Sequence, residues 1–583
     1  MRRPYPRTPH LPWSPGASPD DVRAGDLSGL LGREVVVTEK LDGENTTLYA
    51  DGSHARSLDS GHHPSRAWVK ALQGRIGRLI PPGWRVCGEN MYARHSIAYP
   101  SLDGYFYGFS VWDDADRCLD WDATVRFLRR LGIPTPPVLW RGTFDERALR
   151  GLRLDTERQE GYVVRTVDGF PGCEFGRRVA KWVRAEHVRT GTHWMHAAVV
   201  PNGLGPGAAL WDVRAGAAPD PRALLTAIGE DPDAAAPEAV GPALAEVTAG
   251  LDALGRTGDA RLAGVLAVLL HRGRRAELAA RLAGPLGMPL ARRVADLVGR
   301  YGLLWRPLPD ERRREGLVRL SFAADLGVLH AVARACLAGR GGDAAAEARE
   351  QVEWSQLHAE VAGLLGEDPL EPLRAELRGE LAGLGEDAAD RCWAQARDAY
   401  ALGRVRTAAE AVAATWRWRS GEFPRLVHLV GPSGSGKSTF AASLPGVAAR
   451  LSLDDLREAR GARSDQRGNA DVLREGLDRL DAALAAGGTV VWDATSLTRH
   501  QRAHVHAVAR RRDALVTHVV LLVDAGELTR RNAVRPHPVP GNVLTAQLRR
   551  FDPPYPGEAH RTWYAGPAGT VEDADGTLRE RGV

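Results

Sequence analysis

The stretch LVHLVGPSGSGKSTF, residues 426–440, passes from an apolar run through a loop of glycines and small hydroxyl residues into a helix-forming segment. Gly431, Gly434 and Gly436 free the loop backbone to aim N–H groups at anionic oxygens where a helix begins. Lys437 adds a cation suited to the β- and γ-phosphates of a nucleotide, and the Ser438 hydroxyl, followed by Thr439, suits Mg²⁺. Strand, loop and helix in this order predict a phosphate cradle at the carboxyl end of a parallel strand.

The neighbouring sequence extends that reading. After GEFP, the apolar runs LVHLVG, ARLSL, TVVWDA and HVVLLVD alternate with helical stretches, as βαβ units do. LSLDDLRE sets Asp454 at the end of one strand, where a carboxylate can accept a hydroxyl proton as a phosphoryl group arrives. TVVWDATS sets Asp493 at the end of another, the place of a cation-holding or acceptor-orienting acid. TRRNAVRPHPVP, residues 529–540, spaces Arg531 and Arg535 four apart, which predicts one helical face and an arginine lid over the transferred phosphate. Alternatively Asp454 or Asp455 caps a helix and the two arginines lie on a solvated face.

From about residue 424 to 552 the chain resembles the polynucleotide 5′-kinase family of P-loop phosphotransferases. The strand-end DDxxR of that family falls on Asp454, Asp455 and Arg457, its acceptor-side acid on Asp493, and its lid on Arg531, Asn532 and Arg535. The resemblance implies that Asp454 is the general base toward a 5′-hydroxyl, and that Arg457 with Asp493 shapes the acceptor pocket. Small-molecule kinases of the same fold share these features.

Near the other end, VTEKLDGENTTLY, residues 37–49, places Lys40 between a β-branched run and a turn, with Asp42, Gly43, Glu44 and Asn45 behind it. A lysine attacks an α-phosphate only when deprotonated, and partial burial with neighbouring cations would depress its pKa. Gly43 would allow a tight turn, and Asp42 and Glu44 are candidates for ribose or metal. Downstream follow Arg56, Glu89, Phe109, Glu160 and Lys181, supplying carboxylates, an aromatic ring and cations.

This set resembles the ATP-dependent polynucleotide ligases, and specifically the RNA ligase branch with its EKxxGxN nucleophile motif, over about residues 30–200. Glu39, Lys40, Gly43 and Asn45 match that motif. The resemblance implies that Lys40 is adenylated, Glu39 reads adenine, Asn45 and Arg56 hold the strand end, Glu89 contacts ribose, Phe109 stacks on the base, Glu160 serves the metal and Lys181 contacts the α-phosphate. The last motif is usually KxK; here Val183 takes the second lysine's place and Arg184 follows. Capping guanylyltransferases and DNA ligases share the core chemistry, and Glu39 and Asn45 favour RNA ligase.

The expected architecture is multidomain: an α+β nucleotidyltransferase domain (1–205), a linker with some helix (206–245), an all-α middle domain (246–418) and an α/β P-loop kinase domain (419–583). The middle faintly resembles HD-type phosphohydrolase helices, with His271, Asp325 and His330 as nearest candidates. It lacks the adjacent His-Asp pair, so a degenerate, metal-free scaffold is expected. A net charge of +4 over 583 residues permits nucleic-acid binding without arguing for it. Five dispersed cysteines, a proline-broken N-terminus and the lack of a long apolar run predict a cytoplasmic protein without membrane contact.

Together the two ends predict an enzyme that phosphorylates RNA 5′-hydroxyls and joins 5′-phosphate to 3′-hydroxyl ends through lysyl-AMP. Its cofactors are ATP, or another NTP for the kinase, and Mg²⁺ or Mn²⁺. RNA ends, tRNA among them, are its expected partners. A DNA-directed kinase-ligase is one alternative, and a small-molecule P-loop kinase fused to a nucleotidyltransferase-like regulatory domain is another.

Overall fold

The computed structural model describes residues 2–58, 62–185, 198–233, 237–461, 469–535 and 537–579. They fall into two compact units, one of residues 1–239 with 252–262 and the other of residues 240–251 with 263–583.

The first unit holds two antiparallel sheets. Its strands are β1 (Glu34–Lys40), β2 (Glu44–Tyr49), β3 (Gly52–Ala55), β4 (Arg85–Asn90), β5 (Phe106–Trp112), β6 (Arg117–Cys118), β7 (Val138–Thr143), β8 (Gly161–Thr166), β9 (Phe170–Pro171) and β10 (Val179–Val183). The orders are β10-β8-β1-β7 and β3-β2-β4-β5-β6-β9. Val35, Val36 and Val37 are wholly buried, so β1 is packed on both faces and reads as a continuous apolar run rather than an alternating one.

The N-terminal leader straps the β10 edge. The Lys181 N–H donates to the Pro9 carbonyl and the Leu11 N–H to the Lys181 carbonyl, each at 2.8 Å. Prolines on an edge strand forfeit no ladder bonds, which is why this proline-rich leader fits there. Within 206–245, expected as a linker with some helix, the helices Ala208–Arg214 and Pro221–Ala227 bury Leu210, Val213, Leu224 and Leu225.

The second unit is built on a six-stranded sheet of β11 (Arg425–Val430), β12 (Val447–Ser452), β13 (Thr489–Asp493), β14 (Leu515–Leu521), β15 (Arg561–Ala565) and β16 (Val571–Asp575). Its order is β12-β13-β11-β14-β15-β16, parallel except for β16. The helical middle shares this unit instead of standing apart. Arg561 of β15 pairs with Asp387 at 2.8 Å and Asp390 at 3.0 Å on the helix Glu386–Ala401, and Arg292 donates to Asp573 of β16 at 2.7 Å.

The HD-like candidates do not converge. His330 is a buried core histidine bound to the Leu326 carbonyl (2.6 Å) and Ser355 Oγ (3.0 Å), and Asp325 caps the helix Leu326–Ala335. His271 Nδ1 meets the Val268 carbonyl at 2.8 Å. No single described helix is long and apolar enough to cross a membrane.

Candidate active sites

Lys40 ends β1 opposite Gly161, the first residue of β8. A Cβ at position 161 would stand 2.0 Å from the Trp182 carbonyl, so only glycine lets β8 and β10 close up beside the lysine. Glu160 precedes that glycine, and Lys40 Nζ donates to its Oε2 at 2.5 Å; the side chains are 23% and 9% exposed. Lys40 lines a cavity of about 110 Å³ with Glu39, Asn45, Arg56, Glu89, Phe109 and Lys181. Register accounts for part of this: Asn45 lies opposite Glu89 across β2 and β4, and Lys181 opposite Val163 across β10 and β8.

The charge balance corrects one expectation. Burial disfavours a charged Lys40, but Glu160, Glu89 and Asp42 outweigh it and hold its pKa above the ordinary lysine value. The strongest charges around it are carboxylates, not the cations that would depress it. The lowered lysine is instead Lys181, through burial and the charge of Lys40. Burial lifts Glu89 to about 7, with Lys40 opposing and Glu160 adding to the rise. Burial also raises Glu39, whose carboxylate accepts from Gln159 Nε2 at 2.9 Å. Crowded carboxylate oxygens are the donor set that a hard divalent cation takes, so Glu160 and Glu89 fit such an ion.

Three further expectations change. Glu44 does not stand free for ribose or metal but pairs with Arg66, whose Nε meets both carboxylate oxygens at 3.0 and 2.9 Å. Asp42 accepts the Ser96 and Ile97 N–H groups at 2.8 and 3.0 Å. Gly43 is needed for close approach rather than for an unusual turn: a Cβ there would lie 2.6 Å from the Asn90 carbonyl. Arg184 donates its N–H to the Glu160 carbonyl at 3.0 Å and its guanidinium to the Thr156 carbonyl, so it braces the Glu160 segment. Tyr5 and Thr8 also line the cavity, and the Tyr5 ring meets Phe109 edge-on at 5.2 Å. No motif marks those leader residues or Gln159.

In the second unit Gly434 and Gly436 take φ of +85° and +96°, the left-handed values that turn the loop toward the helix Lys437–Ser443. Lys437 is buried and folds back on the loop, donating to the Gly431 and Pro432 carbonyls at 2.9 and 2.8 Å. Burial lowers its pKa to about 8, against the pull of Asp493 and Asp454. Ser438 Oγ donates to Asp493 Oδ2 at 2.9 Å, an oxygen pair that fits a hard cation and puts Asp493 on the cradle side. Arg450, unmarked in the sequence, reaches the same oxygen at 2.6 Å.

Ser452, not an aspartate, caps the helix Leu453–Ala459; Asp454 pairs with Arg457 at 2.6 Å and its side chain is 54% exposed. The arginines of the expected lid do not share a helical face, because the helix Ala525–Ala533 ends before Arg535, in a segment carrying Pro536, Pro538 and Pro540. Arg531 nonetheless overhangs the loop: its Nη1 lies 4.0 Å from where a Gly436 Cβ would be, while Glu527 and the Pro567 carbonyl anchor it at 2.6 and 2.8 Å. Arg535 Nη1 is buried without a hydrogen-bond partner and acts electrostatically on Lys437. Asn532 Nδ2 donates to the Val539 carbonyl at 2.7 Å and its Oδ1 accepts the Val539 N–H at 2.9 Å.

Comparison with known proteins gives two family matches along the chain. An RNA ligase family model matches residues 33–183, and an AAA domain model matches residues 426–554. No curated protein sequence matches the chain. Among solved structures, a chain of an RNA repair complex is similar at 21% identity over 23% of this chain and 49% of that one, with a TM-score of 0.21. A Naegleria gruberi RNA ligase with ATP and Mn is similar at 17% identity over 30% of this chain and 60% of that one, TM-score 0.22. A Janibacter sugar kinase is similar at 22% identity over 25% of this chain and 86% of that one, TM-score 0.21. The chain thus spans about half of the repair-complex chain and three fifths of the Naegleria ligase. It carries an RNA ligase domain toward its N-terminus and a kinase-like P-loop domain of the AAA type toward its C-terminus.

Proposed function

We propose that this chain heals and seals RNA: its P-loop domain phosphorylates 5′-hydroxyl ends and its ligase domain joins the resulting 5′-phosphate to a 3′-hydroxyl through lysyl-AMP, acting in the cytoplasm on RNA ends such as those of cleaved tRNA. The observation that carries the reading is Lys40, hydrogen-bonded to Glu160 at the wall of a cavity that also gathers Glu39, Asn45, Arg56, Glu89, Phe109 and Lys181.

In this reading Lys40 Nζ attacks the α-phosphate of ATP and pyrophosphate leaves. The proton on Nζ must go first, and Glu160 Oε2 is the acceptor in reach. Lys181 and Arg56 face the phosphates, and Phe109 with Tyr5 forms the aromatic wall against the base. In the other domain Lys437, Arg531 and Arg535 surround the γ-phosphoryl group and Asp454 takes the proton of the 5′-hydroxyl. Divalent cations held by Glu160 with Glu89, and by Ser438 with Asp493, would supply charge neutralisation to the phosphates of each reaction.

The test has two arms. Incubation with α-labelled ATP and Mg²⁺ should label the wild type covalently and leave Lys40→Ala unlabelled; label on Lys40→Ala removes the nucleophile assignment. Incubation with γ-labelled ATP and 5′-hydroxyl RNA or DNA should label RNA, and Lys437→Ala and Asp454→Ala should abolish transfer. Label that enters DNA in preference, or no polynucleotide, overturns the RNA-end reading.

A further inference from the structure

Three histidines with no part in the phosphate chemistry meet beneath the cradle. His428 lies in β11, the strand that runs into Gly431; His518 is its register partner on β14; His506 comes from the helix Arg499–Arg511. One ring nitrogen of each lies within 4.8 Å of the other two. His506 Nε2 and His518 Nε2 are 2.8 Å apart, and His428 Nε2 is 2.8 Å from Ser496 Oγ. His428 and His518 are wholly buried, and the Nδ1 of each is buried without a hydrogen-bond partner.

Two histidines side by side in core strands are costly, because each leaves a buried Nδ1 without a hydrogen-bond partner. A function that uses the ring nitrogens would account for their presence. We propose that His428, His506 and His518 form a three-imidazole site for a borderline transition-metal ion, Zn²⁺ foremost, within the P-loop unit.

Two arguments support the choice of ion. Imidazole nitrogen suits zinc, copper, iron or nickel and not the oxygen-seeking Mg²⁺ of the cradle, so the two cations are separated by ligand type. Tetrahedral ligation at about 2.0–2.1 Å spaces nitrogens roughly 3.3 Å apart, between the closest and widest spacings here, so modest ring rotations suffice.

The adjacent buried Arg502 does not oppose a dication unscreened, since Glu558 meets its Nε and Nη2 at 2.5 and 2.9 Å. Ser496 orients the His428 ring, as outer partners of metal-bound histidines do. The carbonyl of the preceding Thr495 accepts the Gly431 N–H at 3.0 Å, so an ion here would brace the floor of the phosphate loop.

The helix also carries an exposed pair, His500 and His504, with Nε2 atoms 3.3 Å apart, which supplies the control. Full-length protein from zinc-supplemented cells, dialysed against a chelator, should retain about one zinc per chain, and the apo-protein reloaded with Co²⁺ should show the visible d–d bands of a tetrahedral site. His500→Ala/His504→Ala should keep both signals. His518→Ala should lose them, as should His506→Gln, whose half-buried position spares the core and whose fold circular dichroism checks. Zinc-free wild type without the Co²⁺ bands, or zinc that follows the exposed pair rather than His506, overturns the assignment.

Discussion

Replacing Lys437 by methionine in the nucleotide-free protein should abolish nucleotide binding and yet stabilise the P-loop unit at neutral pH. Burial moves the Lys437 pKa from 10.5 down to about 8. Folding therefore disfavours the charged lysine, by about 3 kcal/mol. The sign follows from proton counting. Below pH 8 both states are protonated and the full penalty stands; between 8 and 10.5 the unfolded chain binds more protons, so stability rises with pH until the penalty vanishes. Linkage gives a penalty of about 3 kcal/mol at pH 7 and about 2 kcal/mol at pH 9.

Methionine removes that penalty but gives up the hydrogen bonds to Gly431 and Pro432, a pH-independent loss of about 1–2 kcal/mol. The variant's net advantage at pH 7 is then about 1–2 kcal/mol, shrinking by about 1 kcal/mol at pH 9. Urea unfolding read by pulse proteolysis of the full chain at both pH values measures this difference, and groups titrating alike in both proteins cancel. ATP at 100 times its Kd should add about 2.7 kcal/mol to the wild type and nothing to the variant. A difference that stays constant or widens from pH 7 to pH 9 would refute the buried-charge argument.

Glu160→Gln should lower the pKa of Lys40, because burial then acts with one fewer opposing carboxylate; the pH dependence of lysine modification in the nucleotide-free protein measures it, and an unchanged profile contradicts the charge balance. Arg66→Ala strands the buried Glu44 carboxylate and should cost about 3–5 kcal/mol in a thermal or urea melt, whereas a loss under 1 kcal/mol would mean that the pair is solvated. Asn532→Ala should release the Arg535 segment, raising the KM for the phosphoryl donor and speeding hydrogen exchange at Val539, without altering covalent AMP labelling of Lys40.

Much of both sites was legible in the chain itself, because their chemistry is written in short segments. GPSGSGKST fixes its own loop, since glycines, lysine and hydroxyls act within nine residues of one another, and EKLDGEN sets Lys40 at a strand end. The alternation of apolar runs with helices likewise forecasts the parallel sheet, as period and length are local properties.

What tertiary structure decided was where charge goes. The protonation of Lys40 depends on Glu160, 120 residues away, and on Glu89, so the expected depression became a rise. Glu44 looked like a ligand until Arg66 folded against it, and Arg535 left its helix in a proline-rich segment. The leader that strands Tyr5 in the cavity and the meeting of His428, His506 and His518 carry no sequence signature. Backbone preference acts between neighbours in sequence, whereas desolvation, ion pairing and ligation act between neighbours in space, and only the folded chain brings those together.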